Sequence, residues 1–187
     1  LGTDTGLHLA EDPDHLAQHA LDGPGTFGAP DVLIVSPGVP ATSPLLQQHA
    51  ARRVPAWSEV ELAWRLHKSG PTAGVPWLTL TGTNGKTTTV EMLGAILRAA
   101  GRDVAVTGNV GTPVVEAVMA GQADVFAVEL SSFQLHLTHS LRPQASACLN
   151  FAGDHVDWHG SLRAYRDAKA RVVAGTELAC IYNVEDE

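Results

Sequence analysis

The stretch TLTGTNGKTTT, residues 79–89, decides how this chain is read. It follows the apolar run Val75-Pro76-Trp77-Leu78-Thr79-Leu80 and precedes the helical pattern Val90, Leu93, Leu97. Strand, glycine-bearing loop and helix, in that order, are the context a phosphate-binding loop requires. The loop's N–H groups and the positive end of the helix converge on one point and favour an anion there. Gly82, Thr83, Asn84, Gly85, Lys86, Thr87 and Thr88 are the residues this reading places around ATP. Lys86 reaches the outer phosphates, and the Thr87 hydroxyl takes a place on a bound magnesium ion. The general pattern GxxxxGK(S/T) asks for glycine where Leu80 stands, so Gly82 and Gly85 supply the permissive positions. A tight strand-to-helix turn with no phosphate duty uses the same residue types.

Composition sets the outer bounds. A chain of 187 residues holds one large domain or two small ones, and 44% hydrophobic residues supply a core. A net charge of −8 with only 12 Lys and Arg argues against a nucleic-acid surface. The apolar runs are too short to span a bilayer, so no membrane insertion is expected. The first residues lack a basic segment and a long apolar run, so they do not read as a signal peptide. Cys148 and Cys180 lie in apolar, strand-like runs and read as buried thiols of a reducing compartment. Two cysteines and nine scattered histidines make no structural zinc spacing.

The opening, to about Phe27, shows no obvious first strand. Residues 31–36 then read as a buried strand, followed by the turn Pro37-Gly38-Val39-Pro40. Ser43 and Pro44 start a helix carrying Leu45, Leu46 and Ala50. Ser58 starts a second helix in a capping box with Glu61, ending near Gly70. Residues 70–74, GPTAG, are the best linker candidate. Strands are then expected at 76–81, 103–107, 124–130, 144–150 and 178–183, with helices at 86–100, 113–120 and 161–174. Gly101 caps the first of these helices, and Thr112 and Pro113 begin the second as cap and first position. This alternation predicts an α/β fold: a parallel P-loop-type sheet with helices on both faces.

In such sheets ligands sit beyond the carboxyl ends of the strands. Polar residues fall at those ends repeatedly: Lys86 and Thr87, Asn109, Glu129 with Ser131 and Ser132, then Asn150, Asp154, His155 and Asp157. Glu129 is the natural second magnesium ligand, because a hard cation takes carboxylate, hydroxyl and phosphate oxygens. A merely solvated strand-end glutamate is the alternative. In the 161–174 helix, Lys169 falls in the apolar stripe of Leu162, Tyr165, Val172 and Val173. A buried lysine has a lowered pKa and a reactive neutral amine, open to carbamate formation with carbon dioxide. A lysine snorkelling from the helix edge is the competing reading. His155 stands between metal ligand and structural residue; His136, His139 and His159 take surface or packing roles.

TGTNGKTT, GNVG, ELSSFQL, and DHVDWHGS with YRDAK behind it together resemble the Mur ligases of peptidoglycan synthesis. VSPGVP followed by WSEVELAWRL is similar to the end of that family's uridine-binding domain, and the resemblance runs from about residue 31 to 183. It implies that 1–70 is the C-terminal part of a UDP-binding Rossmann-like domain. It implies that 71–187 is the N-terminal part of the ATP-binding central domain. Lys86 and Thr87 would hold the ATP phosphates and a first magnesium ion that Glu129 completes. Lys169, carbamylated, would bind a second magnesium with His155. Asn109 and Ser131 would lie against the muramoyl substrate, and Ser36, Pro37 and Gly38 would approach the UDP end.

The implied reaction joins D-glutamate to UDP-N-acetylmuramoyl-L-alanine through an acyl phosphate, in the cytoplasm, by a protein that is a monomer when complete. Relative to the family this chain reads as a fragment. It lacks the first uridine-domain strands and the C-terminal domain, so ligation is not expected of it alone. Sheet edges left open by such truncation favour aggregation. Other ligases of the superfamily, folylpolyglutamate synthase among them, and a non-ligating P-loop ATPase are the alternatives; VSPGVP argues against the folate enzyme.

Overall fold

The computed structural model describes residues 30–40 and 42–185. The reading of the opening to Phe27 lies outside them. The chain first builds a small parallel sheet. β1 (Leu33–Val35) pairs with β2 (Ala56–Ser58), placing Leu33 opposite Ala56. α1 (Pro44–Ala51) connects them and begins at the expected proline. α2 (Glu59–Ser69) follows at once, with the Ser58 hydroxyl accepting from the Glu61 N–H.

The predicted alternation then appears as β3 (Trp77–Thr81), α3 (Lys86–Ala99), β4 (Val104–Gly108), α4 (Val114–Ala120), β5 (Val125–Glu129) and α5 (Ser132–His136). β6 (Ala145–Cys148), α6 (Val156–His159), α7 (Leu162–Ala174) and β7 (Ala179–Tyr182) complete it. All five strands of this second sheet run parallel, in the order β4-β5-β3-β6-β7. The chain leaves β3 for β4, returns to β5, then crosses to the other side of β3. The direction of winding therefore reverses at the strand that leads into the glycine loop, the place where such sheets bind ligands.

Alternation along each strand feeds two cores. Trp77, Phe126 and Val128 meet Val60, Ala63 and Trp64 of α2, Val114 and Val118 of α4, Leu135 of α5 and Val172 of α7. The intervening residues Leu80, Val125 and Ala127 pack with Val90, Leu93 and Leu97 of α3. Helices thus cover both faces, as period-two strands buried on both sides demand. Phe126 is wholly buried, and truncating such a side chain to alanine costs about 3–5 kcal/mol.

Several expectations are corrected. Cys180 is exposed, on β7, which has a neighbour on one side alone among the described residues, and Cys148 on β6 is only half-buried. The GPTAG segment forms a turn that is exposed at Pro71, Ala73 and Gly74 and held at Thr72, which is buried and hydrogen-bonds His67 Nδ1 at 3.0 Å, so it is not a loose tether. Ser58 does cap α2, but the Glu61 carboxylate does not return to it. That carboxylate accepts from the His139 and Ser140 N–H groups, the Ser140 hydroxyl and Arg65, a stronger set of partners than a box offers. Pro113, not Thr112, is the residue preceding α4. Leu162 is exposed, leaving Tyr165, Ala168, Lys169 and Val172 as the buried stripe of α7.

Candidate active site

Gly85 stands at φ 79°, a left-handed conformation that turns the chain from the loop into α3. Gly82 is selected by space: a Cβ there would meet Leu149 Cβ at 3.1 Å and the Asn84 carbonyl at 3.3 Å. The loop is pinned to the segment after β6. Asn150 Oδ1 accepts from the Asn84 N–H at 2.9 Å, and Asn150 Nδ2 donates to the Asn84 carbonyl at 3.0 Å. The Thr83 hydroxyl donates to the Ala152 carbonyl at 3.2 Å and accepts from the Ala152 N–H at 3.0 Å. Thr87 and Thr88 are exposed on the first turn of α3.

Lys86 Nζ folds onto its own loop, donating to the carbonyls of Gly82 at 3.0 Å and Thr83 at 3.1 Å. Lys169 Nζ arrives from α7 and donates to the same Gly82 carbonyl at 2.7 Å. Lys169 is 3% exposed, which removes the snorkelling alternative. Burial first, then the charge of Lys86, pushes its amine down to about 8. Its ammonium lies 4.9 Å over the Tyr165 ring, and the Tyr165 hydroxyl bonds Thr83 Oγ1 at 3.1 Å.

Glu129 ends β5 beside β3, paired in register with Leu80. It is buried; Oε1 accepts from Asn109 Nδ2 at 3.2 Å, while Oε2 has no hydrogen-bond partner. A buried carboxylate oxygen left bare is costly unless a cation meets it. Among the described residues no three His, Cys, Asp or Glu side chains gather to hold a metal by themselves. That donor set fits magnesium, which is held by one or two carboxylates and completed by phosphate oxygens and water.

His155 precedes α6 at φ 49°, its Nε2 3.3 Å from Asp154 Oδ2. Its ring lies 6.0 Å from that of Tyr165, so His155 and Lys169 flank one aromatic ring. Ser131 caps α5: its hydroxyl accepts from the Gln134 N–H at 3.2 Å and donates to Gln134 Oε1 at 3.0 Å. Ser36, Pro37 and Gly38 follow β1, a strand of the smaller sheet, and not a strand of the five-stranded sheet that carries the other residues. Sequence reasoning passed over Gly108, where a Cβ would fall 2.0 Å from the Glu129 carbonyl oxygen. Its only signal was the glycine of GNVG at a strand end. His159, expected in a surface or packing role, is buried among Phe133, Trp158 and Tyr165, and its Nε2 lies 3.0 Å from Ser132 Oγ, a polar partner that the sequence did not show.

A parallel sheet with a glycine loop leading from a strand end into a helix, and a buried acid one strand away, defines a P-loop-type α/β domain. The model of the Mur ligase middle domain matches residues 80–187, and the chain belongs to the Mur ligase family. It is 49% identical over 158 residues to UDP-N-acetylmuramoylalanine--D-glutamate ligase of Streptomyces coelicolor, covering 84% of this chain and 34% of that one. It is 54% identical over 147 residues to the protein of the same name from Mycolicibacterium vanbaalenii, covering 78% and 30%. The chain thus spans about a third of the length of the curated relatives it matches. Among solved structures it is similar to a UDP-N-acetylmuramoyl-L-alanyl-D-glutamate--2,6-diaminopimelate ligase, with a TM-score of 0.56 and 22% identity over 78% of this chain and 39% of that one. It is also similar to MurF ligase from Thermotoga maritima in complex with ADP, with a TM-score of 0.52 and 18% identity over 75% and 40%. At those identities the two structures speak for the fold alone. No helix among the described residues is long and apolar enough to cross a membrane.

Proposed function

We propose that the whole protein is an ATP-dependent amide ligase that joins D-glutamate to UDP-N-acetylmuramoyl-L-alanine, and that this chain supplies its phosphate-binding site. The observation that carries the reaction class is the bare, buried Oε2 of Glu129 at the strand end next to the P-loop. The named relatives, near half identity, carry the substrates.

Gly82 to Thr88 wrap the ATP phosphates, and Lys86 leaves the Gly82 and Thr83 carbonyls to meet the transferred one. Thr87 and Glu129 hold one magnesium ion; His155 and Lys169 hold a second. When bound, such ions offset the repulsion between a carboxylate and a triphosphate. Lys169 serves as a carbamate. The Lys169 ammonium first gives up a proton. The neutral amine then attacks carbon dioxide, an N–C bond forms as one C=O electron pair moves onto oxygen, and a second N–H proton leaves to solvent, so that a cation has become an anionic ligand. The lowered pKa makes that amine available near neutrality. Asn109 orients Glu129 and, with Ser131, faces the muramoyl substrate, while Ser36, Pro37 and Gly38 meet the UDP end.

The substrate carboxylate takes the γ-phosphoryl group of ATP and releases ADP. The D-glutamate amine then attacks the acyl phosphate, and phosphate leaves. No Ser-His-Asp nucleophile is needed. The division at residue 70, the monomeric state and the cytoplasmic setting belong to the same proposal; α2, although upstream of residue 70, packs into the larger sheet's core.

The test is ATP-to-ADP turnover by the full-length protein with UDP-N-acetylmuramoyl-L-alanine, comparing D-glutamate with L-glutamate, L-lysine and glycine. Turnover with D-glutamate alone, lost in Lys86→Ala, is the expected result. Turnover indifferent to the amino acid would replace the ligase by an ATPase.

A further inference from the structure

We propose that His159 is a positioning residue: its bond to Ser132 locks the loop that carries His155 onto the end of β5 that carries Glu129. The reaction it serves rests on the ligase reading above.

The loop needs such a lock. α6 is only four residues long, and no side chain caps its N-terminus. Left-handed residues bound it on both sides, His155 at φ 49° and Gly160 at φ 78°. A single turn between two such reversals has almost no stability of its own. Its orientation must come from side chains docked elsewhere, and His159 is the buried one. His159 is 8% exposed and Ser132 3%. Their 3.0 Å hydrogen bond is the one side-chain hydrogen bond either makes among the described residues.

The imidazole also joins three helices. It stacks on Phe133 of α5 at 5.7 Å and 9°, meets Trp158 of α6 at 4.5 Å, and lies 5.4 Å from Tyr165 of α7. Phe133 in turn touches His155 at 4.7 Å, and Tyr165 bonds Thr83 of the P-loop. One ring therefore links the segment that follows Glu129 through Ser132, the candidate metal histidine through Phe133, and the P-loop through Tyr165. Groups that orient metal ligands from behind change rates about 10- to 100-fold when removed.

The experiment uses the full-length protein with its four substituted forms: His159→Phe, which keeps a ring; His159→Gln, which keeps an amide near Nε2; Ser132→Ala; and the double variant with phenylalanine. His159→Phe is expected to lower kcat about 10- to 100-fold and to raise the magnesium concentration for half-activity, with KM for ATP within about threefold. His159→Gln recovers most of kcat. Adding Ser132→Ala to His159→Phe costs nothing further, because both remove one bond. Full kcat in His159→Phe, no rescue by glutamine, or multiplicative losses in the double variant would each overturn the proposal. Amide hydrogen exchange over residues 155–160 reads the lock without reference to any reaction. It should speed up in His159→Phe and not in His159→Gln, and unchanged exchange overturns the lock even if the ligase reading stands. Absence of D-glutamate-dependent turnover in the unsubstituted protein strikes the ligase reading alone.

Discussion

Lys86 and Lys169 donate to one carbonyl oxygen, that of Gly82, from 3.0 and 2.7 Å. Two ammonium groups on a single acceptor repel each other, and the more buried one yields. Burial and then the Lys86 charge hold Lys169 down to about 8 from 10.5. Lys86→Ala is therefore expected to raise the Lys169 pKa, read from its Cε resonance in a pH titration. An unmoved pKa would show that the two charges do not interact. The same substitution should remove about a hundredfold or more of turnover, as loss of a charge-stabilising donor does. The stability consequence has a definite sign. Between about pH 8 and 10.5 the unfolded chain holds the Lys169 proton and the folded chain does not, so stability climbs with pH across that window.

Glu129→Gln separates a metal role from a structural one. The carboxylate is buried with one oxygen bare, so neutralising it in the unliganded protein should leave stability unchanged or raise it by about 1 kcal/mol. Ligand-linked stabilisation behaves oppositely. Magnesium with ATP should raise the Tm of the unsubstituted protein through preferential binding to the native state. In Glu129→Gln the magnesium-dependent part of that rise should vanish. An equal rise in both proteins would take the metal away from Glu129.

Much of this site was legible because its residues sit at strand ends, and strand ends follow from hydrophobic runs bounded by Gly and polar residues. Lys86 opens α3 where the pattern put it, and Glu129 closes β5. The pairings were not legible. Lys169 meets Gly82 across 87 positions, Asn109 meets Glu129 across 20, and His159 meets Ser132 across 27. No local period encodes such contacts. Glu61 shows the same limit: three residues after Ser58 it fits a capping box, yet tertiary donors 78 and 79 positions away take its carboxylate. Cys180 failed for a simpler reason. Its apolar run marks a strand, but burial depends on what covers the strand, and among the described residues β7 is an edge strand. α5 and α6 are too short for a helical period, although Ser131 and Gln134 form a capping box that sequence spacing allows one to find.

His159 makes stability depend on acid. Burial first, then the charges of His136, His155 and Lys169, push its pKa down to about 4, with Asp157 opposing. Between about pH 6.5 and 4 the unfolded chain binds a proton that the folded chain refuses. Stability is complete above that window and falls as pH drops through it, by up to about 3 kcal/mol for a shift of this size. His67 and His136, also lowered by burial, act in the same direction. Denaturant midpoints measured from pH 7 to pH 4 should fall steeply in the unsubstituted protein and less so in His159→Gln. Equal slopes would mean that His159 takes up its proton without disturbing the fold.

Gly108 joins the two strands that present Asn109 and Glu129. It pairs with Glu129 in register at φ 128°, a conformation open to glycine, and a Cβ there would lie 2.0 Å from the Glu129 carbonyl oxygen. That carbonyl already accepts from the Asn109 N–H at 2.9 Å, so the backbone cannot retreat without breaking the bond that sets Asn109 against the acid. Gly108→Ala combines backbone strain with overpacking and should cost about 3 kcal/mol or more. For a domain of this size that is a Tm drop of roughly 6–12 °C. Gly111 is the matched control. It stands at φ 82° with nothing within 4 Å of a built Cβ, so Gly111→Ala should cost only about 1–2 kcal/mol of left-handed strain. Equal Tm losses in the two variants would show that conformation alone selects both glycines. A larger loss at Gly108, with magnesium-dependent stabilisation lost alongside it, would show that close packing of β4 on β5 holds Glu129 in place.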